Sequence, residues 1–207
     1  MLAGPRRPLE IAEALARVDA ARARTAILVE GWSDEAALET LARRDGTHLA
    51  AQRVLVFPVG GVTNLARFAG ALSRSGLGVR LAGLYDASDE ALALRGLERA
   101  GVGTGPTRAS AERAGFFVCD HDLEDELIRA LGTAAVEGLL AAQGELSSFR
   151  RFQAQPAQLG RDVHGQLKRF MGTRSGRKIR YGALLVEALE PARVPLSLQR
   201  VLAHALA

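Results

Sequence analysis

The sequence predicts an open α/β sheet of four parallel strands followed by a helical C-terminal extension. Two observations carry that expectation. Four short aliphatic runs, Thr25–Val29, Arg53–Phe57, Val79–Tyr85 and Phe116–Cys119, are almost continuously apolar, as strands covered on both faces are. Between them lie alanine- and leucine-rich stretches with helical spacing, which gives the order β-α-β-α-β-α-β and right-handed crossovers.

Each element has a local reason. Residues 8–23 read as an amphipathic helix ahead of the first strand. In Ser33–Arg44 the apolar positions Ala37, Leu38 and Leu41 share one face, with Ser33 as the expected N-cap and Gly46 past the end. Thr63–Arg74 and Ser88–Ala100 follow the same pattern, the latter stopping at Gly101. After the fourth strand, helices are expected at 122–131, 133–142, 162–170, 178–190 and 197–206. Gly144, Pro156, Gly172, Pro191 and Pro195 punctuate them. The organisation is then an N-terminal helix over 1–24, an α/β core over 25–131 and a basic helical extension over 132–207 that completes the site.

Composition narrows the function classes. With 207 residues, 48% hydrophobic and 24% charged, the chain can bury a substantial core and is not disordered throughout. Its longest uncharged run, Val54 to Ala66, is too short to span a bilayer, and no apolar stretch follows Arg6 and Arg7. The expectation is therefore a cytoplasmic protein with no membrane partner. One cysteine, Cys119, excludes an internal disulfide and the usual structural zinc sites. Of 27 basic residues, 25 are arginine, and there are 37 alanines; only Lys168 and Lys178 are lysine, so a lysine carries more information here than an arginine. Charge is unevenly placed. Residues 145–181 hold nine basic and two acidic groups, whereas residues 1–144 sum to −3. Arg150, Arg151, Arg161, Lys168, Arg169, Arg174, Arg177, Lys178 and Arg180 read either as a nucleic-acid track or as an ordinary solvated face.

In a parallel sheet, ligands bind outside the carboxyl ends of the strands. The first strand is followed by Glu30 and Asp34, the third by Asp86 and Asp89, and the fourth by five acids among residues 120–126. The second is followed by Gly60-Gly61 and Asn64, which read as a tight turn or as a phosphate cradle at the next helix N-terminus. Each piece alone has a bland reading, because acids favour helix N-termini. Their joint arrival at one edge points to a hard divalent cation, Mg²⁺ or Mn²⁺. His48, His121, His164 and His204 have no ligand spacing; only His121 sits among acids.

The run Val29-Glu30-Gly31-Trp32-Ser33-Asp34, the glycine pair before Thr63-Asn64, and an aspartate after the third strand resemble a TOPRIM domain, the metal-binding module of topoisomerases and primases. The likeness is closer to the TOPRIM half of overcoming lysogenization defect (OLD) nucleases, whose first motif reads V-E-G-x-S-D. A leucine-glutamate pair after the fourth strand, here Leu123-Glu124, and a K-x-x-x-A element also belong to that pattern. Lys178-Ile179-Arg180-Tyr181-Gly182 resembles the latter, with glycine where alanine is usual. The resemblance spans residues 25 to about 190 and implies a Rossmann-like TOPRIM sheet and a metal-dependent endonuclease. It implies that Glu30 and Asp34 serve one ion, with Glu30 as general base, that Asp86 is a ligand, and that Asp122 and Glu124 complete a second site. Asp89 joins the metal set because Ser88 stands where D-x-D would place the next acid. Lys178 is expected to face the charge developing on phosphorus. Gly60, Gly61 and Asn64 are expected to bind phosphate, and Arg169, Arg174, Arg177 and Arg180 nucleic acid, DNA rather than RNA. OLD proteins carry an ATPase domain, yet no G-x-x-x-x-G-K-[ST] occurs here. That leaves three readings: a nuclease without its own ATPase, a weakened module that binds nucleic acid or a partner, and an obligate subunit of a separately encoded ATPase. A homo-oligomer is compatible with each.

Overall fold

The computed structural model describes residues 9–174 and 176–207. Four strands, β1 (Thr25–Val29), β2 (Val54–Pro58), β3 (Arg80–Asp86) and β4 (Phe116–Cys119), form one sheet in the order β2-β1-β3-β4, every pair parallel. The expected strands stand within one residue of their places. All five residues of β1 are buried, which is why that run shows no polar alternation.

Helices α1 (Ile11–Ala20), α2 (Trp32–Arg44), α3 (Val62–Ser73), α4 (Glu90–Arg99) and α5 (Arg108–Arg113) accompany the sheet. Then come α6 (Leu123–Leu131), α7 (Thr133–Ala142), α8 (Leu146–Gln153), α9 (Val163–Met171), α10 (Arg177–Ala188) and α11 (Leu196–Leu206). The expected helix over 8–23 is realised as α1; residues 1–8 lie outside the described residues.

Two apolar cores sandwich the sheet. Ala26 and Leu28 of β1 face α1, α3, α4 and α5, whereas Ile27 and Val29 face α2, α6 and the helices that follow. Each fully buried Leu or Ile contributes about 1.5–3 kcal/mol, so the C-terminal helices share the second core with the sheet itself. The last helix, α11, is tied to the strand starts. Thr25 Oγ1 donates to Ala205 O at 3.0 Å, and Arg80 Nη1 donates to His204 O at 3.3 Å. The first turn of α11 runs to the other edge, where Ser197 donates to Glu126 just past β4.

Helix α10 rides on α2. The Gly182 position packs against the Ser33 carbonyl, and Arg44 Nη1 donates to Val186 O at 2.9 Å and Leu189 O at 2.8 Å. Through these contacts α2 sets where Lys178, at the head of α10, stands. Among the described residues no helix is long and apolar enough to cross a membrane.

Candidate metal and nucleic-acid site

Because all four strands run the same way, their last residues, Val29, Pro58, Asp86 and Cys119, share one edge, with Val29 opposite Pro58 and Asp86 opposite Cys119. β1 is an inner strand, so Glu30 enters the middle of that edge. Its backbone and side chain tie three strand ends together. The Glu30 carbonyl accepts the Gly60 N–H at 2.9 Å and the Gly61 N–H at 3.2 Å, and Glu30 Oε1 accepts the Asp86 N–H at 3.2 Å. Gly60 and Gly61 have φ of 82° and 102°, conformations that require glycine. Asn64 donates to Gly60 O at 3.2 Å and accepts from Arg67 at 2.9 Å. The three residues expected to cradle phosphate are therefore engaged in bracing Glu30 and their own loop.

On α2, Asp34 Oδ2 accepts the Gly31 N–H at 2.7 Å, and Gly31 is the N-cap. This corrects the expectation that Ser33 caps the helix: Ser33 lies inside α2, buried beneath Gly182. Burial first, then the charge of Glu124, pushes the Asp34 carboxyl up to about 7. Asp86 is raised to about 8, again chiefly by burial and then by Glu30, Asp34, Asp122 and Glu124. Glu30 is raised by burial, against the Asp86 amide, with Asp89 and Asp122 adding to the rise. These carboxylates repel one another across the strand ends. Asp89 stays within that neighbourhood because a 3-10 turn, Ala87–Asp89, follows β3 directly; Ser88 is exposed.

The acidic run after β4 splits in two. Asp122 and Glu124 enter the edge. Asp122 Oδ1 accepts the Asp125 N–H at 2.9 Å as the N-cap of α6, and its Oδ2 lies 2.6 Å from Lys168 Nζ. Glu124 is 4% exposed; its Oε2 lies 3.0 Å from Lys178 Nζ, and its buried Oε1 has no hydrogen-bond partner. Asp120, Asp125 and Glu126 serve the scaffold: Asp120 pairs with Arg129 at 2.6 Å, Asp125 with His164 at 2.7 Å, and Glu126 accepts from the Asp120 amide and from Ser197. His121 is exposed in a left-handed conformation. Burial works against the Lys178 ammonium, but Glu124, Asp34 and Asp122 outweigh it and raise its pKa.

Among the described residues, no three acidic, histidine or cysteine side chains converge closely enough to grip one ion as they stand. The reason is visible in the bonding. Glu30, Asp34 and Asp122 are each turned back on a backbone amide. The donor set is nonetheless all carboxylate oxygen, and Glu124 Oε1 is a buried acceptor that nothing satisfies. Both features fit Mg²⁺ or Mn²⁺, which Glu30 and Asp34 would meet by releasing their amides.

The four arginines expected on nucleic acid separate. Arg177 is 4% exposed: its Nη1 donates to Phe170 O at 3.0 Å and Thr173 Oγ1 at 2.6 Å, and its guanidinium lies 4.0 Å from the Phe170 ring centre. It is a core residue, and a spacing argument that places it on a solvated track fails for that reason. Arg177→Met should lower stability by about 2 kcal/mol in a urea melt, with little change in DNA retention. Arg180 pairs with Glu145 at 2.8 Å. Arg169 and Arg174 are exposed and make no ion pair among the described residues. Sequence reasoning set Lys168 in the same track and missed its place beside Asp122. The available signal was that it is one of only two lysines.

Residues 23–87, which carry Glu30, Asp34, the glycine pair and Asp86, match the family model of the overcoming lysogenization defect protein-like TOPRIM domain. That segment is similar to a TOPRIM domain. Solved structures extend the likeness. The C-terminal region of the Xanthomonas campestris pv. campestris OLD protein is 23% identical, with 89% of this chain and 94% of that one covered and a TM-score of 0.65. The C-terminal region of the Burkholderia pseudomallei OLD protein is 20% identical, with 89% and 97% covered and a TM-score of 0.66. At those identities the likeness is one of fold, and its extent takes in helices beyond the TOPRIM sheet. No curated protein matches the chain.

Proposed function

We propose that this protein is a metal-dependent nuclease that hydrolyses or nicks DNA with Mg²⁺ or Mn²⁺. The observation that carries the reading is the set of mutually repelling carboxylates at one sheet edge, with a buried, unpaired oxygen on Glu124 among them. Glu30, Asp34, Asp86 and Asp89 would hold one ion, and Asp122 and Glu124 a second. A metal held there would supply positive charge against the phosphodiester oxygens and lower the pKa of a water. Glu30, central on the edge and raised in pKa, would be the group placed to take a proton from an attacking water as general base. Lys178 brings an ammonium to the same edge, suited to charge developing on phosphorus. Arg169 and Arg174 contact the backbone without reading bases, so affinity falls steeply with salt.

The test is nicking of supercoiled plasmid with Mn²⁺ or Mg²⁺. Product is expected with metal, none with EDTA, and none from Glu30→Ala at unchanged melting cooperativity. Nicking by Glu30→Ala, in a preparation cleared of contaminating nuclease, sinks the assignment. A second reading, a non-catalytic module that binds nucleic acid or a separately encoded ATPase, draws support from Ser88, which leaves no carboxylate where D-x-D would supply one. It expects salt-sensitive DNA retention and no metal-dependent product.

A further inference from the structure

The two lysines of the chain stand on different helices, α9 and α10, yet both end on the acidic segment after β4. Lys168 Nζ lies 2.6 Å from Asp122 Oδ2, and Lys178 Nζ lies 3.0 Å from Glu124 Oε2. Across the edge, Glu30, Asp34 and Asp86 make no ion pair among the described residues; Glu30 and Asp34 lean on backbone amides instead. The acidic edge is thus half neutralised and half not. We infer that it forms two unequal cation sites: an open one on Glu30, Asp34 and Asp86, and a guarded one on Asp122 and Glu124 that a divalent ion enters by displacing Lys168 and Lys178.

This inference rests on the proposed function for the identity of the ion, but its geometry is independent of that. Glu124 is nine-tenths buried, and its Oε1 is without a hydrogen-bond partner even though Oε2 has its lysine. The guarded site therefore keeps an acceptor ready for a cation beyond the one it holds. Lysine suits a displaceable guard. Its ammonium is a compact point charge on a flexible stem, with no fixed fork to lock it to a carboxylate. Lys168 and Lys178 are also partly exposed, at 37% and 53%, so each ammonium can swing into solvent when a cation takes its carboxylate.

A functional consequence follows from linkage. Anything that draws the lysines off Asp122 and Glu124 must tighten the second ion, and the second ion must tighten whatever receives the lysines. Backbone phosphates of DNA are anions of the right kind. The first ion then resides on the free protein, and the second loads together with the substrate, which withholds the complete site until a phosphodiester is in place.

The probe is Mn²⁺ alone, followed by calorimetry on the full chain without DNA. Lys168 is the position to change, because Lys178 is felt by Glu30 and Asp34 as well. Wild type should bind one ion tightly and a second weakly. Lys168→Met should tighten the second by about tenfold and leave the first unchanged within about twofold, whereas Lys168→Arg, which keeps the charge and adds a locking fork, should weaken the second site further. Lys168→Gln serves the same purpose if the methionine variant does not melt cooperatively. Two equal sites in wild type, or a second site unmoved or weakened by removal of Lys168, overturns the inference while leaving the nuclease reading intact if Glu30→Ala abolishes the first site. Absence of Mn²⁺ binding in all of these proteins overturns both.

Discussion

Asp86→Asn is expected to abolish nicking, by about a thousandfold, and at the same time to make the metal-free protein more stable at pH 8. Asp86 ends β3 beside Glu30, whose carboxylate accepts a hydrogen bond from its amide. Asparagine keeps that amide and the side-chain shape but removes one of the charges proposed to hold a divalent ion. The stability effect has a definite sign. The Asp86 carboxyl is raised to about 8, by burial and then by Glu30, Asp34, Asp122 and Glu124, so the folded chain binds its proton more tightly than the unfolded chain does. Stability from this group is fully present below the ordinary aspartate value of about 4 and is lost as pH rises through about 8. Asparagine escapes that loss. The gain over wild type should be near zero at about pH 4, reach its full size above about pH 8, and amount to roughly 2 kcal/mol after allowing for partial solvent screening. Urea melts at the two pH values measure it. Mn²⁺ should restore stability to wild type and do much less for Asp86→Asn. A variant less stable than wild type at pH 8 would show instead that the carboxylate holds the fold together.

Which parts of the fold and of the acidic edge were legible in the sequence has a physical reason. The strands were readable because burial on both faces writes itself as unbroken aliphatic runs, and strand ends in a parallel sheet are where chemistry collects. Glu30, Asp34, Asp86 and Glu124 break the local rule that carboxylates belong in water, and that violation is visible in one dimension. What sequence does not carry is which partner each polar group finds. Gly60 and Gly61 look like a phosphate cradle until the Glu30 carbonyl is seen to take both amides. Arg177 looks like its neighbours in a basic stretch, yet its guanidinium is folded onto Phe170. Two helices also escaped notice. α5 is only six residues, held by the Thr107 cap, and α8 has few apolar positions, of which Phe149 and Phe152 pack around Phe170. α5 is too short for a periodic pattern to show, and α8 depends on a distant partner more than on local pattern.

Gly182→Ala is expected to cut nicking by about a hundredfold, although alanine is the residue usual in this element of OLD nucleases and the better helix former by about 1 kcal/mol. A Cβ placed at Gly182 would lie 2.7 Å from the Ser33 carbonyl oxygen and 3.4 Å from its Cα, so backbone would have to give way. Ser33 cannot retreat easily. It is buried in the first turn of α2, two residues past the Gly31 cap that follows Glu30 and the end of β1. The strain therefore falls on α10, whose far end Arg44 clamps through the Val186 and Leu189 carbonyls. A helix held at its C-terminal end and pushed in the middle swings at its head, and the head carries Lys178. Overpacking of this kind costs about 1–3 kcal/mol, offset in part by the helix propensity of alanine, so stability should fall by only about 1–2 kcal/mol. The mismatch between a small loss of stability and a large loss of activity is the signature to look for. Ser33→Gly leaves the carbonyl in place and should not rescue the variant. Equal activity in Gly182→Ala and wild type would mean that α10 finds room without moving its lysine, and that the close packing of α10 on α2 does not set the site.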